Sequence, residues 1–262
     1  MPEPDFMIVD INESNLNEYD LFCKKSKKKE EGYQKKEKWF RERLNEGMHI
    51  KLLLVNEGKA GYRSRGFIEY IPGEYAWRGI DAKGYMVIHC IWVVGKNKNK
   101  GYGSKLLEEC IKDSEGMKGV AVLTSKGNWL PASKLFIKHG FEKADEIPPV
   151  IELYAKRFSE NVELPKINPV GKTTGEKGIT IMRSDQCPYV PDAVRIVENV
   201  AKKAGIPVTI KQLDTCDEVQ NNGIHPFGTY CVLLDGEFLT YNCGVEKDIV
   251  KLLKGKGIDI SG

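Results

Sequence analysis

One stretch constrains this chain more than any other. Met86 to Val94 (MVIHCIWVV) is apolar and rich in β-branched residues, which predicts a buried strand. It runs directly into a turn holding Gly95, Gly101 and Gly103, and Ser104 to Asp113 follows as a helix. A strand, a glycine-rich turn and a helix start together leave backbone N–H groups unpaired at the positive end of the helix dipole. That is an anion site. Gly101 and Gly103 carry no Cβ, so a phosphate can approach the backbone, and Lys96, Lys98 and Lys100 add positive charge. A pyrophosphate-bearing ligand suits such a turn. A Walker loop would need Gly-Lys-Ser/Thr where this chain has Gly-Ser-Lys, and a dinucleotide fingerprint would need a third glycine near Leu106. A glycine pair before a helix can also be no more than a turn.

The elements around that stretch alternate between helix and strand. Asn12 to Cys23 and Glu30 to Leu44 read as helices, the second stopped by Gly47. Ile50 to Val55 and Gly66 to Ile71 read as strands, the second ended by Pro72-Gly73. Strand Gly119 to Thr124, helix Ala132 to His139 and strand Val150 to Tyr154 follow. Composition then changes. Residues 161–177 hold prolines and glycines with few large apolar side chains, which reads as a linker between residues 1–160 and 178–262. The second segment repeats the alternation in small: strand Ile179 to Met182, helix Pro191 to Ala204, strand Val208 to Leu213, a hairpin about Asp235-Gly236, and helix Glu246 to Leu253. The whole is mixed α/β.

A net charge of +3 on 262 residues gives no ground for a nucleic-acid partner. The run Lys24 to Arg43 is basic, but Glu30, Glu31, Glu37 and Glu42 lie within it. It reads either as a solvated helix face or as a basic rim that attracts anionic ligands. The seven cysteines have irregular spacings and no CxxC pair, so no zinc or dithiol motif is expected, and no metal. A reducing compartment fits, and no signal or membrane-spanning segment is visible, so the expected location is the cytoplasm.

Lys98-Asn-Lys-Gly-Tyr-Gly103 resembles the pyrophosphate motif Arg/Gln-x-x-Gly-x-Gly/Ala of the GNAT acyltransferases, with Lys98 in place of Arg or Gln. Downstream, Ala132, Leu135, Gly140 and Phe141 match the family helix pattern Asn-x-x-Ala-x-x-Leu-Tyr-x-x-x-Gly-Phe. The resemblance implies a central, mostly antiparallel sheet flanked by helices, with the fourth strand splayed from the fifth. It implies acetyl-CoA as co-substrate, its pantetheine along the backbone of Trp92, Val93 and Val94. Lys98, Asn99, Lys100, Gly101, Tyr102, Gly103 and Ser104 would hold the pyrophosphate, with Phe136 at the position of the family tyrosine and Trp129 at that of the family asparagine, Asn128 standing one residue early. The acceptor would be an amine of a small molecule or peptide, and a homodimer is admissible. Phe136 has no hydroxyl, so the departing thiolate must take its proton elsewhere or leave as an anion. For the base, His89 and Glu69 are the candidates, with Glu74 beside them. Cys90 reads as core.

In the second segment, Cys187-Pro-Tyr precedes a helix, where unpaired amides would favour a thiolate and lower its pKa. The segment resembles the active site of thioredoxin- and glutaredoxin-like domains, with Val190 where the second cysteine would stand. The arrangement of the two segments looks like the YoaP-like bacterial proteins. A one-thiol redox or thiol-binding role for Cys187, a purely structural second domain, and a chain that senses acyl-CoA without turnover all remain open.

Overall fold

The computed structural model describes residues 4–169 and 175–260. They group into two compact units: residues 4–26, 40–76 and 80–167 in the first, and 27–39, 77–79 and 168–260 in the second. The segments 27–39 and 77–79 therefore belong with a unit far from them in sequence, although 1–160 reads from sequence as one domain. Part of the expected linker, 170–174, lies outside the described residues.

The first unit is built on seven strands: β1 (Phe6–Ile11), β2 (His49–Asn56), β3 (Tyr62–Pro72), β4 (Tyr85–Val93), β5 (Gly119–Ser125), β6 (Glu142–Ile147) and β7 (Ile151–Arg157). Their order is β1-β2-β3-β4-β5-β7-β6. Every neighbouring pair is antiparallel except β4 and β5, which run parallel. The mostly antiparallel mixed α/β sheet expected from the sequence is present. Ile80–Asp81 and Lys166–Ile167 form a separate two-strand pair.

Helix α2 (Tyr102–Asp113) supplies the cover for one face. Its Leu106, Leu107 and Cys110 recur at helical spacing, are fully buried, and pack with Ile68, Tyr70, Met86, Ile88, Ile91, Val120 and Val122. Each such side chain is worth about 1.5–3 kcal/mol of burial. This packing fixes the start of α2 over the end of β4. Helix α3 (Lys134–Lys138) is a single turn, shorter than the span expected, and only its Phe136 is buried.

One local reading fails, and two strands have no counterpart in the sequence reading. Asn12 to Cys23 is a series of turns and not a helix. Asn12 Oδ1 accepts from the amide and hydroxyl of Ser14, and Phe22 and Lys24 take left-handed backbones that no helix tolerates. Strands β1 and β6 escape notice because β1 is only part-buried along most of its length and β6 is largely charged.

The second unit holds α1 (Glu31–Arg43) up to residue 39. Its sheet comprises β8 (Ile179–Arg183), β9 (Val208–Gln212), β10 (Tyr230–Leu234) and β11 (Glu237–Thr240), in the order β9-β8-β10-β11. β8 and β9 are parallel, and the other two pairs are antiparallel. The hairpin turns through Asp235 and Gly236, both at positive φ (50° and 82°), the geometry of a tight primed turn. Helices α4 (Val190–Lys203), α5 (Cys216–Asn222) and α6 (Glu246–Gly255) complete the unit. Thr215 and Glu218 close α5 with a reciprocal capping box, a start signal present in the sequence and missed there.

Candidate functional site

The parallel pairing of β4 with β5 begins at Tyr85↔Gly119 and ends at Ile88↔Val122. Both strands continue beyond it, β4 to Val93 and β5 to Ser125. Among the described residues no ladder joins them there. The outer edges stay paired, since β4 holds β3 as far as Val93↔Gly66 and β5 holds β7 as far as Ser125↔Ile151. A wedge therefore opens between two strands in the middle of the sheet, beyond the last ladder pair Ile88↔Val122. Backbone polar groups in such a place call for a hydrogen-bonding occupant.

A β-bulge sets where the wedge begins. Glu69 pairs with Cys90 and Tyr70 with Ile88, so His89 is the extra residue on β4. Bulges bend and twist the strand that carries them. Ile88 and Ile91 both point into the core beneath α2 as a result. Simple alternation, which sets Cys90 opposite His89, does not hold across this step. Gly66 lets β3 and β4 approach closely here, for a Cβ on it would stand 2.8 Å from the Trp92 carbonyl oxygen.

β4 ends in the glycine turn. Gly95–Asn97 form one 3₁₀ turn, Asn99 (φ 62°) and Gly101 (φ 81°) take left-handed backbones, and α2 starts at Tyr102. The first ladder bond of the helix runs from Lys105 N–H to Gly101 C=O, at 3.1 Å. The amides of Tyr102, Gly103 and Ser104 precede it, as the orphan donors of a helix start do. Nothing lies within 4 Å of the Cβ position of Gly101, so the turn is open on that side. Asn99, Lys100 and Gly101 are exposed. Lys98 lies over the exposed ring of Trp92, its Nζ 4.9 Å from the ring centre. This is a cation–π contact at the mouth of the wedge. The Tyr102 ring meets Phe6 edge to face at 5.4 Å.

His89 and Glu69 come together. His89 Nδ1 is 3.3 Å from Glu69 Oε1, and both side chains are buried. Glu69 lies between Ile68 and Tyr70, which face α2, so it belongs to the opposite sheet face. Glu74 is elsewhere, with Oε1 accepting from the Gly84 amide.

In the second unit Cys187 is half-buried in the turn before α4, and its carbonyl accepts from Val190 N–H at 3.1 Å. Pro191 lies in the first turn of that helix. The residue before the cysteine, Gln186, is anchored by buried groups. Its Oε1 accepts from Arg78 Nη1 at 2.7 Å and from Thr229 Oγ1 at 2.5 Å. Arg78 is almost fully buried and also donates to the Phe227 carbonyl.

No protein-family profile matches the sequence. A protein of Bacillus subtilis (strain 168) described as the uncharacterized N-acetyltransferase YoaP is 31% identical over 253 residues, spanning 94% of this chain and 97% of that protein. The chain belongs to this N-acetyltransferase family. Among solved structures, the CoA complex of the Escherichia coli GNAT-family N-acetyltransferase YhbS is 14% identical and covers 64% of this chain and 92% of its own, at a TM-score of 0.41. An N-acetyltransferase from Staphylococcus aureus Mu50 is 16% identical, with coverages of 60% and 100%, at the same TM-score of 0.41. Likenesses at those scores bear on neither activity nor substrate.

Three more residues expected at the cofactor have the following surroundings. Phe136 is fully buried and packs edge to face on Phe141 at 5.4 Å, so its ring is core and cannot line an open cleft. A Cβ on Gly103 would meet the Leu135 side chain at 3.5 Å, an ordinary contact. Asn128 lies in an exposed bend after β5, beside Trp129 at φ 73°.

His139 was not singled out from the sequence, although it stands directly before the matching Gly140-Phe141 pair. Its Nε2 is 2.8 Å from Ser104 Oγ, at the first turn of α2. Asp10, His49 and Asp113 also bring ligand-type atoms within 4.8 Å of one another. The Lys51 ammonium already occupies that place, 2.9 Å from Asp113 and 3.6 Å from Asp10. The cluster holds its own cation.

Proposed function

We propose that this protein transfers the acetyl group of acetyl-CoA directly to an amine of a small molecule or peptide. The wedge between β4 and β5, opening beside the left-handed turn before α2, carries the reading. An extended ligand with amide groups can add along Trp92, Val93 and Val94 on the side of β4 that faces β5, as a further strand would, while Val94 N–H stays with the Arg65 carbonyl at 2.9 Å. The amides from Lys98 to Ser104, with Lys98 and Lys100, then meet its pyrophosphate. The residues fit such a ligand, because the turn is open at Gly101 and no ladder joins β4 to β5 beyond Ile88↔Val122. Acetyl-CoA supplies the activated thioester carbonyl.

The chain supplies position and a proton acceptor. An N–H on the open edge of β4 can donate to the thioester oxygen as negative charge develops there. The Glu69–His89 pair lies at the bulge where that edge begins, and it takes the ammonium proton of the acceptor in this scheme. With Phe136 in the core, no helix hydroxyl at that position serves the departing thiolate. In the second unit, the strand order β9-β8-β10-β11 with one parallel pair supports the thioredoxin-like reading of residues 178–262.

The test is thiol release from acetyl-CoA across a panel of amines, read against an amine-free control. Amine-dependent release is expected. CoA binding without release on any amine would overturn transfer and leave the sensing reading.

A further inference from the structure

By its local sequence Cys187 is a single thiol, with Val190 in place of a partner. The fold brings a second one to it. Strand β8 ends at Arg183, which pairs with Tyr230 at the start of β10. The loop after Arg183 stays tied to the residue before Tyr230. Ser184 N–H donates to the Thr229 carbonyl at 2.9 Å, and Thr229 Oγ1 donates to Gln186 at 2.5 Å. Thr229 is thus a neighbour of the Cys187 loop.

The hairpin brings Cys243 to the same place. β10 and β11 pair at Val232↔Thr240. Thr229 stands three residues before Val232 and Cys243 three residues after Thr240. Equal offsets from an antiparallel pair lead to the same sheet end. The chain turns there, with Asn242 N–H donating to Thr240 Oγ1 and Gly244 N–H to the Asn242 carbonyl. The electrostatics agree with this placement. Burial first, and then the charge of Cys187, push the Cys243 thiol well above its ordinary value. Neither cysteine is in a disulfide.

A second observation marks the place as chemically unfinished. Among the described residues, Arg183 Nε, Tyr230 OH and Asn242 Oδ1 are buried and have no hydrogen-bond partner. Arg183 and Tyr230 are directly paired, and the Cys243 charge acts on Tyr230. Buried polar atoms are satisfied in the great majority of cases. Three orphans beside two thiols point to a small polar occupant.

We propose that Cys187 and Cys243 form a dithiol pair that reduces a low-molecular-weight disulfide, Cys187 attacking first and Cys243 resolving. The amides ahead of α4 can hold a negative charge on the Cys187 sulfur. That thiolate attacks one sulfur of the substrate, the substrate S–S bond breaks, and one thiolate leaves. Cys243 gives its proton to the leaving thiolate and attacks the Cys187 sulfur. The mixed disulfide breaks and a second thiolate leaves. Two electrons pass from the protein to the substrate, which ends as two thiols, and the protein ends with a Cys187–Cys243 disulfide.

The experiment treats the full-length chain with oxidised glutathione, then reads intact mass and a non-reduced peptide map. The wild type should lose the mass of two hydrogens and yield one cross-linked peptide joining Cys187 to Cys243. Cys243→Ser should stop at a glutathione adduct on Cys187, and Cys187→Ser should give neither product. Cys243→Ala and far-UV circular dichroism check that the stalled adduct does not come from an altered fold. A stable adduct on wild-type Cys187, a cross-link through another cysteine, or no reaction at all would each overturn the pairing.

Discussion

The open edge of β4 and the end of β8 are both places where pairing runs out, but different atoms are left over. At β4 they are main-chain groups on the side that faces β5 beyond Ile88, next to a turn of amides and lysines. At β8 they are side-chain atoms, Arg183 Nε, Tyr230 OH and Asn242 Oδ1, beside two cysteines. A row of backbone groups suits a long, amide-bearing ligand held by many weak contacts. A knot of side-chain atoms and sulfur suits a small one held by chemistry at a point. The amide turn of the first site comes from one continuous stretch of chain, and the second site from three.

The sharpest way to break the first half of that comparison is the proton acceptor. Glu69→Gln keeps the volume and the buried contact with His89 but removes the carboxylate. General-base catalysis of this kind contributes about 10²–10⁴-fold. The kcat for acetyl transfer should fall by that order while KM for acetyl-CoA stays within about twofold. A variant that loses stability yet keeps its kcat would make the pair structural and leave the wedge without a base.

Gly103→Trp comes next, and it separates packing from binding within the turn. A Cβ there meets the Leu135 side chain at an ordinary 3.5 Å, so the bulk of an indole beyond it must displace that side chain or fill the turn. Overpacking of this kind costs about 1–3 kcal/mol. Urea unfolding should show that loss. Full stability with abolished CoA binding would mean that Gly103 faces the ligand after all.

Legibility in the sequence divides along the same line. The strand, turn and helix around Gly101 are contiguous, and their chemistry is local, so the residues could be read in order. The wedge itself was legible only through a family resemblance, because it depends on where β5 stops pairing. The bulge at His89 was not legible, since an alternation reading assumes regular register through Glu69 and Cys90. The contact of Gly103 with Leu135 was not legible for a related reason, because Leu135 lies on a different element. Cys243 carried no signal at all. Its meaning depends on a hairpin register and on a loop tied to Thr229, and nothing in its own neighbourhood marks it. Sites made by convergence leave no spacing to read.

The basic turn gives a smaller effect. Lys98→Glu with Lys100→Glu reverses two exposed charges beside the helix start without touching the core. CoA affinity should weaken about tenfold, or roughly 1.4 kcal/mol. The gap should narrow as salt is raised, because exposed charges are screened. Isothermal titration at two ionic strengths checks both parts. A loss that ignores salt would point to altered turn geometry and away from charge.

A third polar cluster sharpens the contrast because it is already complete. Tyr70 OH donates to Asp113 at 2.6 Å, and the Lys51 ammonium is 2.9 Å from the same carboxylate. Burial works to raise the Asp113 carboxyl, but the Tyr70 hydroxyl and Lys51 outweigh it and hold the carboxyl below its ordinary value. Burial likewise works to lower Lys51, and Asp113, Asp10 and Glu109 outweigh it, so its ammonium is held above the usual lysine value. The depressed carboxyl stabilises the fold above the unfolded aspartate value of about 3.9, and that share is lost as pH falls through the folded value. The raised ammonium stabilises below the unfolded lysine value of about 10.4, and that share is lost as pH rises through the folded value. Asp113→Asn should therefore cost about 1 kcal/mol near neutrality, and should flatten the acid limb of the stability curve. Denaturant unfolding between acid and neutral pH reads the limb. CoA affinity should not change, because a cluster that satisfies its own charges leaves nothing for a ligand to complete. An acid limb as steep as the wild type's would place the depressed carboxylate somewhere else.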